Sequence, residues 1–443
     1  MARNTAARAG LLSSFALTFL VILCYINIQR NLHDYNHQSN IIKSRRLSTQ
    51  QVTNPPIEND PHPTPPQTTT TTEGYTYLII HYHKSGHILT QNLRDILLQT
   101  DPTLQRNYID RFPKRQHDPV TKCPHLTLHP NTVYVQSSPD FFCDVDVLAE
   151  ELLLRPRKER GIKIVHLVRN PYTMAISNYK YHAQDPLPEG ENWVKRTNPC
   201  AVEDRSAAIY ADLFMKTLVT PGVYRLMEYD DFQIIQSICH RLYDQLSSPG
   251  FYTHLLTLPP KDGLILATTY LMLGHGGDIL RMANNIIKLR QLQMLEMQIH
   301  LRRHDSSSLD KSRNDRNNRR KVQVLTLSMD NFIHMPKATT LEFLKFVTSG
   351  NDGVVLAEQE KEEIAMRYEQ MYYEKVSAGD GHITSLLSRK KSDDGGAGED
   401  EVVMSDEVTE LEQSLRQNVL WGRILGNIEN LVNEALRGVH NWY

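Results

Sequence analysis

Residues 75–93 read Tyr-Thr-Tyr-Leu-Ile-Ile-His-Tyr-His-Lys-Ser-Gly-His-Ile-Leu-Thr-Gln-Asn-Leu, and this stretch decides the fold. Tyr75 to Tyr82 is rich in aromatic and β-branched residues around the unbroken run Leu78-Ile79-Ile80. That is the pattern of a strand buried on both faces, as in a parallel sheet. His83-Lys84-Ser85-Gly86-His87 follows, small and polar, with a glycine able to take positive φ. Leu89, Leu93, Ile96 and Leu97 then mark one face of a helix. Strand, short turn and helix together aim backbone N–H groups and a positive helix end at one point, which suits a phosphate. Lys84 adds a full positive charge there, and Ser85 and Thr90 add hydroxyl donors.

The spacing is not that of the nucleotide P-loop, where four residues separate a first glycine from Gly-Lys-Ser/Thr. Here the lysine precedes the only glycine. An ordinary βα turn with a surface lysine also accounts for this segment taken alone. A second stretch, residues 161–182, repeats the logic: Gly-Ile-Lys-Ile-Val-His-Leu-Val-Arg-Asn-Pro-Tyr-Thr-Met-Ala-Ile-Ser-Asn-Tyr-Lys-Tyr-His. Ile162 to Val168 is another buried-strand pattern. Asn170 is a favoured N-cap and Pro171 suits the first helical position, so a helix is predicted to about Ala183. Arg169 stands at the strand end, and Ser177 lies two turns into the helix.

Strand, Lys-Ser-Gly-x-x-x-Thr and helix resemble the 5′-phosphosulfate loop of sulfotransferases, which move a sulfonate from 3′-phosphoadenosine 5′-phosphosulfate (PAPS) to a hydroxyl or amine. Arg169 and Ser177 match the arginine and serine, eight residues apart, that grip the nucleotide 3′-phosphate in that family. Arginine suits the role because its planar fork pairs bidentately with phosphate. The resemblance implies an α/β fold, P-loop-like and three-layered (α/β/α), with a central parallel sheet. It implies that Lys84, Ser85, Gly86, His87, Leu89 and Thr90 bind the 5′ end of PAPS, and Arg169 and Ser177 the 3′ end. Lys84 would stabilise charge on the leaving phosphate, with no metal required. For the general base, His87 lies in the loop and titrates near neutrality, while His125, His129, Asp140 and Asp144 are rivals.

Two later segments carry weaker likeness. Val322 to Leu327 reads as a strand, followed by Asp330 and a helix over Leu341 to Val347; Asp330 takes an acidic position usually held by glutamate and is read as structural. Gly379-Asp380-Gly381-His382-Ile383-Thr384-Ser385 resembles the segment that closes over the nucleotide, which adds Gly381, His382 and Thr384 to the binding set.

The chain of 443 residues carries a net charge of −2, so no global field draws it to nucleic acid, and attraction for an anionic donor must be local. Leu11 to Ile28 is apolar and free of charge, long enough to span a bilayer, and no small-x-small cleavage site follows. The reading is a cytosolic tail (1–9), a transmembrane signal anchor (10–28), a Pro/Thr-rich stem (29–74) and a lumenal domain (75–443). That plan is shared by Golgi-resident, single-pass type II enzymes that modify glycans. It points to a glycan or secreted-protein acceptor, met where PAPS is available.

Cys123, Cys143, Cys200 and Cys239 allow two disulfides in three pairings, and their spacing does not suit zinc. Further elements are predicted as strands at Thr132–Gln136 and over Tyr224, Leu226 and Met227. Helices are predicted at Val147–Leu154, Ala201–Leu218, Ile279–Leu301, Ala357–Tyr373 and, amphipathic, Glu407–Leu436. Residues 304–320 and 388–404 are expected to be disordered. Two other function classes fit parts of the chain: a P-loop-like small-molecule kinase, and a membrane-anchored PAPS- or glycan-binding protein without catalysis.

Overall fold

A computed structural model describes residues 75–82, 87–101, 104, 108–109, 131–137, 161–184, 200, 226–228, 230–243, 251–273, 278–305, 322–349, 356–377, 387–390 and 401–438. Five strands form one all-parallel sheet: β1 (Thr76–His81), β2 (Tyr108–Ile109), β3 (Val133–Ser137), β4 (Ile162–Val168) and β5 (Val322–Ser328), in the order β2-β3-β1-β4-β5. β1 is central. It pairs with β4 from Thr76↔Ile162 to Ile80↔His166, and with β3 on its other edge. Every residue of β1 and of β4 is buried, as their continuous apolar runs predict.

Side chains alternate between two cores because a strand repeats every two residues. Leu78, Ile80 and Tyr82 of the β1 segment join Ile162, Ile164 and Val168 on one face. Helices α2 (Pro171–His182), α3 (Asp231–Tyr243), α4 (Phe251–Thr257), α5 (Pro260–Leu273) and α6 (Asp278–Asp305) cover that face. Tyr77, Ile79, Val133, Val135, Val165 and Leu167 point the other way. They meet α1 (His87–Thr100), α7 (Met329–His334), α8 (Pro336–Thr348) and α9 (Glu358–Ser377). Helices on both faces of a parallel sheet make this an α/β protein.

Lys163 ties β4 to α8. It is fully buried, and its Nζ donates to the carbonyls of Phe346, Val347 and Ser349 at 2.8, 2.9 and 2.5 Å. Those are orphan acceptors at a helix carboxyl end, where a cation also suits the dipole.

Several expectations change in the structure. Glu407–Leu436 is two helices, α10 (Asp406–Gln417) and α11 (Val419–Leu436). The break falls at Asn418, whose side chain accepts from the N–H groups of Leu420 and Trp421, so a local cap outweighs continuous apolar periodicity. At Gly422 an added Cβ would lie 2.3 Å from the Arg416 carbonyl oxygen, so only glycine fits that corner. Leu226–Met227 is buried irregular chain rather than strand. Residues 388–404 are structured at both ends: β6 (Leu387–Lys390) and β7 (Glu401–Met404) pair antiparallel, consistent with the strand preference of Val402 and Val403. Cys200 and Cys239 form a disulfide; Cys123 and Cys143 lie outside the described residues.

The predicted helices at 147–154 and 201–218 also lie outside them, as do the stem and the apolar stretch 10–28. Among the described residues no helix is long and apolar enough to cross a membrane.

Candidate functional site

The chain leaves β1 toward β3 on one side and enters β4 on the other, so strand order reverses between these two neighbours. Their following helices lie on opposite faces of the sheet, α1 in one core and α2 in the other. Connections that diverge in this way leave a crevice at the carboxyl ends of the strands. The five residues that join β1 to α1 include Lys84, Ser85 and Gly86, which lie outside the described residues, as does the His87 side chain. The backbone of His87 begins α1, and Leu89 and Thr90 are buried in its first turn.

Arg169 directly follows β4 and is 5 % exposed. Its Nε donates to Asp330 Oδ1 at 3.4 Å. The same carboxylate accepts the Asn170 backbone N–H at 2.9 Å and the Thr173 hydroxyl at 3.2 Å. Asp330 is placed by the register of β5, since Val168 pairs with Ser328, and Ser328 caps α7 two residues before the carboxylate. Burial pushes the Arg169 guanidinium below its ordinary value, and Asp330 opposes that shift. The group stays a cation.

Asn170 is the N-cap, as its type predicts: its Oδ1 accepts the Tyr172 N–H at 2.9 Å, and Pro171 holds the first helical position. Its Nδ2 donates to Glu429 of α11 at 2.6 Å, and Arg416 of α10 grips that carboxylate with two nitrogens at 2.7 and 2.9 Å. Arg416 also lies 4.0 Å over the Tyr172 ring. The terminal helix pair therefore braces the start of α2. Ser177 is buried on the same helix face as Thr173, one turn further on.

Beneath the carboxyl end of β1 lies a polar node that sequence reasoning missed. Asn285 Nδ2 donates to the Tyr82 hydroxyl at 2.9 Å, and that hydroxyl lies 2.7 Å from His166 Nε2. Burial lowers the His166 pKa to about 3, so the ring that shares this hydrogen bond with Tyr82 is neutral. Asn285 belongs to a buried polar stripe of α6 with Arg281, Asn284 and Lys288. The same helix touches Arg169, whose backbone N–H points at Met282 Sδ, 3.5 Å away.

Helix α9 packs on the α1 side of the sheet. Tyr368 accepts from Asn92 of α1 at 3.5 Å and meets the Phe332 ring edge-on at 6.3 Å between centroids. Tyr372, one turn on, is close enough to Arg169 for the two groups to influence each other's charge. Gly381, His382 and Thr384 follow α9 in the chain and lie outside the described residues, as do His125, His129, Asp140 and Asp144.

Of the residues singled out from sequence, the structure places Arg169 directly after β4, Ser177 two turns into α2, and Leu89 and Thr90 in the first turn of α1, all four buried. It adds Asp330, whose grip on Arg169 the sequence did not disclose. The spacing Ser328-x-Asp330 after a strand was the available signal, since a cap followed by an acid marks a helix start. No protein-family model and no curated protein matches the chain.

Proposed function

We propose that this chain is a PAPS-dependent sulfotransferase of the secretory pathway. It transfers a sulfonate to a hydroxyl or amine of a glycan or secreted-protein acceptor, on a P-loop-like three-layer α/β/α domain. The single observation that carries this reading is Arg169: a buried arginine, fixed by Asp330, at the end of the strand next to the one that feeds the Lys84 loop. Cations carried in the chain just after two adjacent strands fit a cosubstrate with phosphate at two positions. The buried Tyr372 hydroxyl, which meets no hydrogen-bond partner among the described residues, is also compatible with a bound anion within its reach.

In this reading Arg169 and Ser177 hold the 3′-phosphate, and Lys84, Ser85, Gly86, Thr90 and the loop amides hold the 5′-phosphosulfate. Gly381, His382 and Thr384 close over the nucleotide. The acceptor oxygen bonds to sulfur as the bond from sulfur to the 5′-phosphate oxygen breaks. The acceptor proton passes to a base, for which His87 is the first choice, and 3′-phosphoadenosine 5′-phosphate departs. Catalysis rests on positioning and on charge stabilisation at the leaving phosphate. Residues 10–28 anchor the chain in the Golgi membrane as a type II protein, with the catalytic domain lumenal.

Transfer of radiolabelled sulfate from PAPS to a panel of glycans tests the proposal. Labelled product is the expected result. ATP-dependent phosphorylation without sulfate transfer would favour a kinase, and PAPS binding without turnover a non-catalytic binder.

A further inference from the structure

Helix α6 carries Met282 and Asn285 three residues apart, and so on one face. That face reaches the ends of two neighbouring strands. Asn285 Nδ2 donates to the Tyr82 hydroxyl at 2.9 Å, and that hydroxyl shares a 2.7 Å hydrogen bond with His166 Nε2 of β4. One turn earlier on α6, Met282 Sδ meets the Arg169 backbone N–H at 3.5 Å. Tyr82, His166, Met282 and Asn285 are all buried. The Tyr82 and His166 rings also meet edge-on, 5.6 Å between centroids.

The ladder between β1 and β4 does not itself set the spacing of these ends. Its pairing closes at Ile80↔His166. Tyr82 lies two residues beyond that pair on one strand, and Arg169 three beyond it on the other. Lys84 follows Tyr82 by two residues. Past the ladder, the relative position of two chain ends depends on what ties them together, and α6 ties both. Apolar side chains fill the rest of this face of the sheet, among them Leu78, Ile80, Ile164 and Val168. A phenylalanine at position 82 would pack there as well, so the hydroxyl adds direction rather than bulk. Buried hydrogen bonds select one arrangement where apolar packing tolerates several.

We propose that Tyr82 and Asn285 are positioning residues: with His166 they hold the ends of β1 and β4 at the spacing that a nucleotide with phosphate at both ends requires. This rests on the reading of the two strand ends as the nucleotide site. Neither side chain touches the ligand in this account. Their task is to set the two ends in place before binding, so that the ligand does not have to. They therefore act on a ligand that engages both ends, and not on one that engages a single end.

The test is titration of the purified full-length chain with 3′-phosphoadenosine 5′-phosphate and, by competition, with adenosine 5′-monophosphate and adenosine 3′-monophosphate. Wild type is compared with Tyr82→Phe and Asn285→Ala. Both variants should bind the bisphosphate about tenfold more weakly, on the order of one lost preorganising hydrogen bond, and each monophosphate within about twofold of wild type. Asn285→Ala leaves the Tyr82–His166 bond in place and carries the test where Tyr82→Phe does not fold. Unchanged bisphosphate affinity in both variants overturns the positioning role. So does an equal loss on all three nucleotides, which marks a node that serves stability alone. A wild-type chain that binds none of the three, or binds the bisphosphate no better than either half, overturns the reading of the strand ends and this inference with it.

Discussion

Asp330 Oδ1 lies 3.4 Å from Arg169 Nε, while its other oxygen accepts the Asn170 N–H at 2.9 Å. One carboxylate thus fixes the strand end, the helix start and the cation between them. A buried guanidinium without such a partner would be costly. The carboxylate also aims the cation, because an Nε contact sets the plane of the guanidinium.

Asp330→Asn keeps the shape of the side chain and removes its charge. It should weaken binding of 3′-phosphoadenosine 5′-phosphate about tenfold by loosening Arg169. It should also destabilise the ligand-free chain by about 1–2 kcal/mol, less than a fully buried pair would lose because Asp330 keeps 24 % exposure. Titration and urea denaturation measure the two effects. Wild-type values in both would mean that the carboxylate does not hold the arginine.

Lys163 separates stability from function. It sits six residues before Arg169 along β4, about 20 Å away. Lys163→Met removes the ammonium that three helix-end carbonyls now share. A loss of about 2–4 kcal/mol is expected in urea denaturation, with nucleotide affinity of the folded protein unchanged. A variant as stable as wild type would show that the ammonium contributes little.

His166 sets a pH dependence. Its pKa falls from 6.5 to about 3 on folding, so the unfolded chain takes up the proton first. The contribution of this residue is complete above about 6.5 and falls with acidification until about 3, by at most about 1.4 kcal/mol per pH unit. His166→Gln should flatten the stability profile between pH 6.5 and pH 4 relative to wild type. Parallel profiles would place the acid sensitivity elsewhere.

The corner between α10 and α11 should tolerate no side chain. Gly422→Ala places a methyl group 2.3 Å from the Arg416 carbonyl oxygen. Opening that corner should cost roughly 1–3 kcal/mol and disturb the Arg416–Glu429–Asn170 chain. Urea denaturation reads the loss, and an unchanged midpoint would show that the helix pair adjusts freely.

What the sequence disclosed, and what it hid, follows from range. β1, β4 and the Asn170 cap were legible because each is encoded by neighbouring residues. The α3–α5 region was not: α5 is apolar nearly all round, so no periodic face marks it. The long terminal helix was overextended because apolar spacing continues across Asn418. Within the site, Arg169 and Ser177 share one short segment, whereas Asp330 and the Tyr82–His166–Asn285 node join positions 84 to 203 residues apart. Only the sheet order brings those together.

The central claim is that one nucleotide spans the ends of β1 and β4. Titration of wild type, Lys84→Ala and Arg169→Ala with 3′-phosphoadenosine 5′-phosphate tests it most directly. The account predicts saturable one-site binding in wild type, lost or weakened at least tenfold in each variant, on the order of one charged phosphate contact. No binding by wild type, or full affinity in both variants, would contradict it.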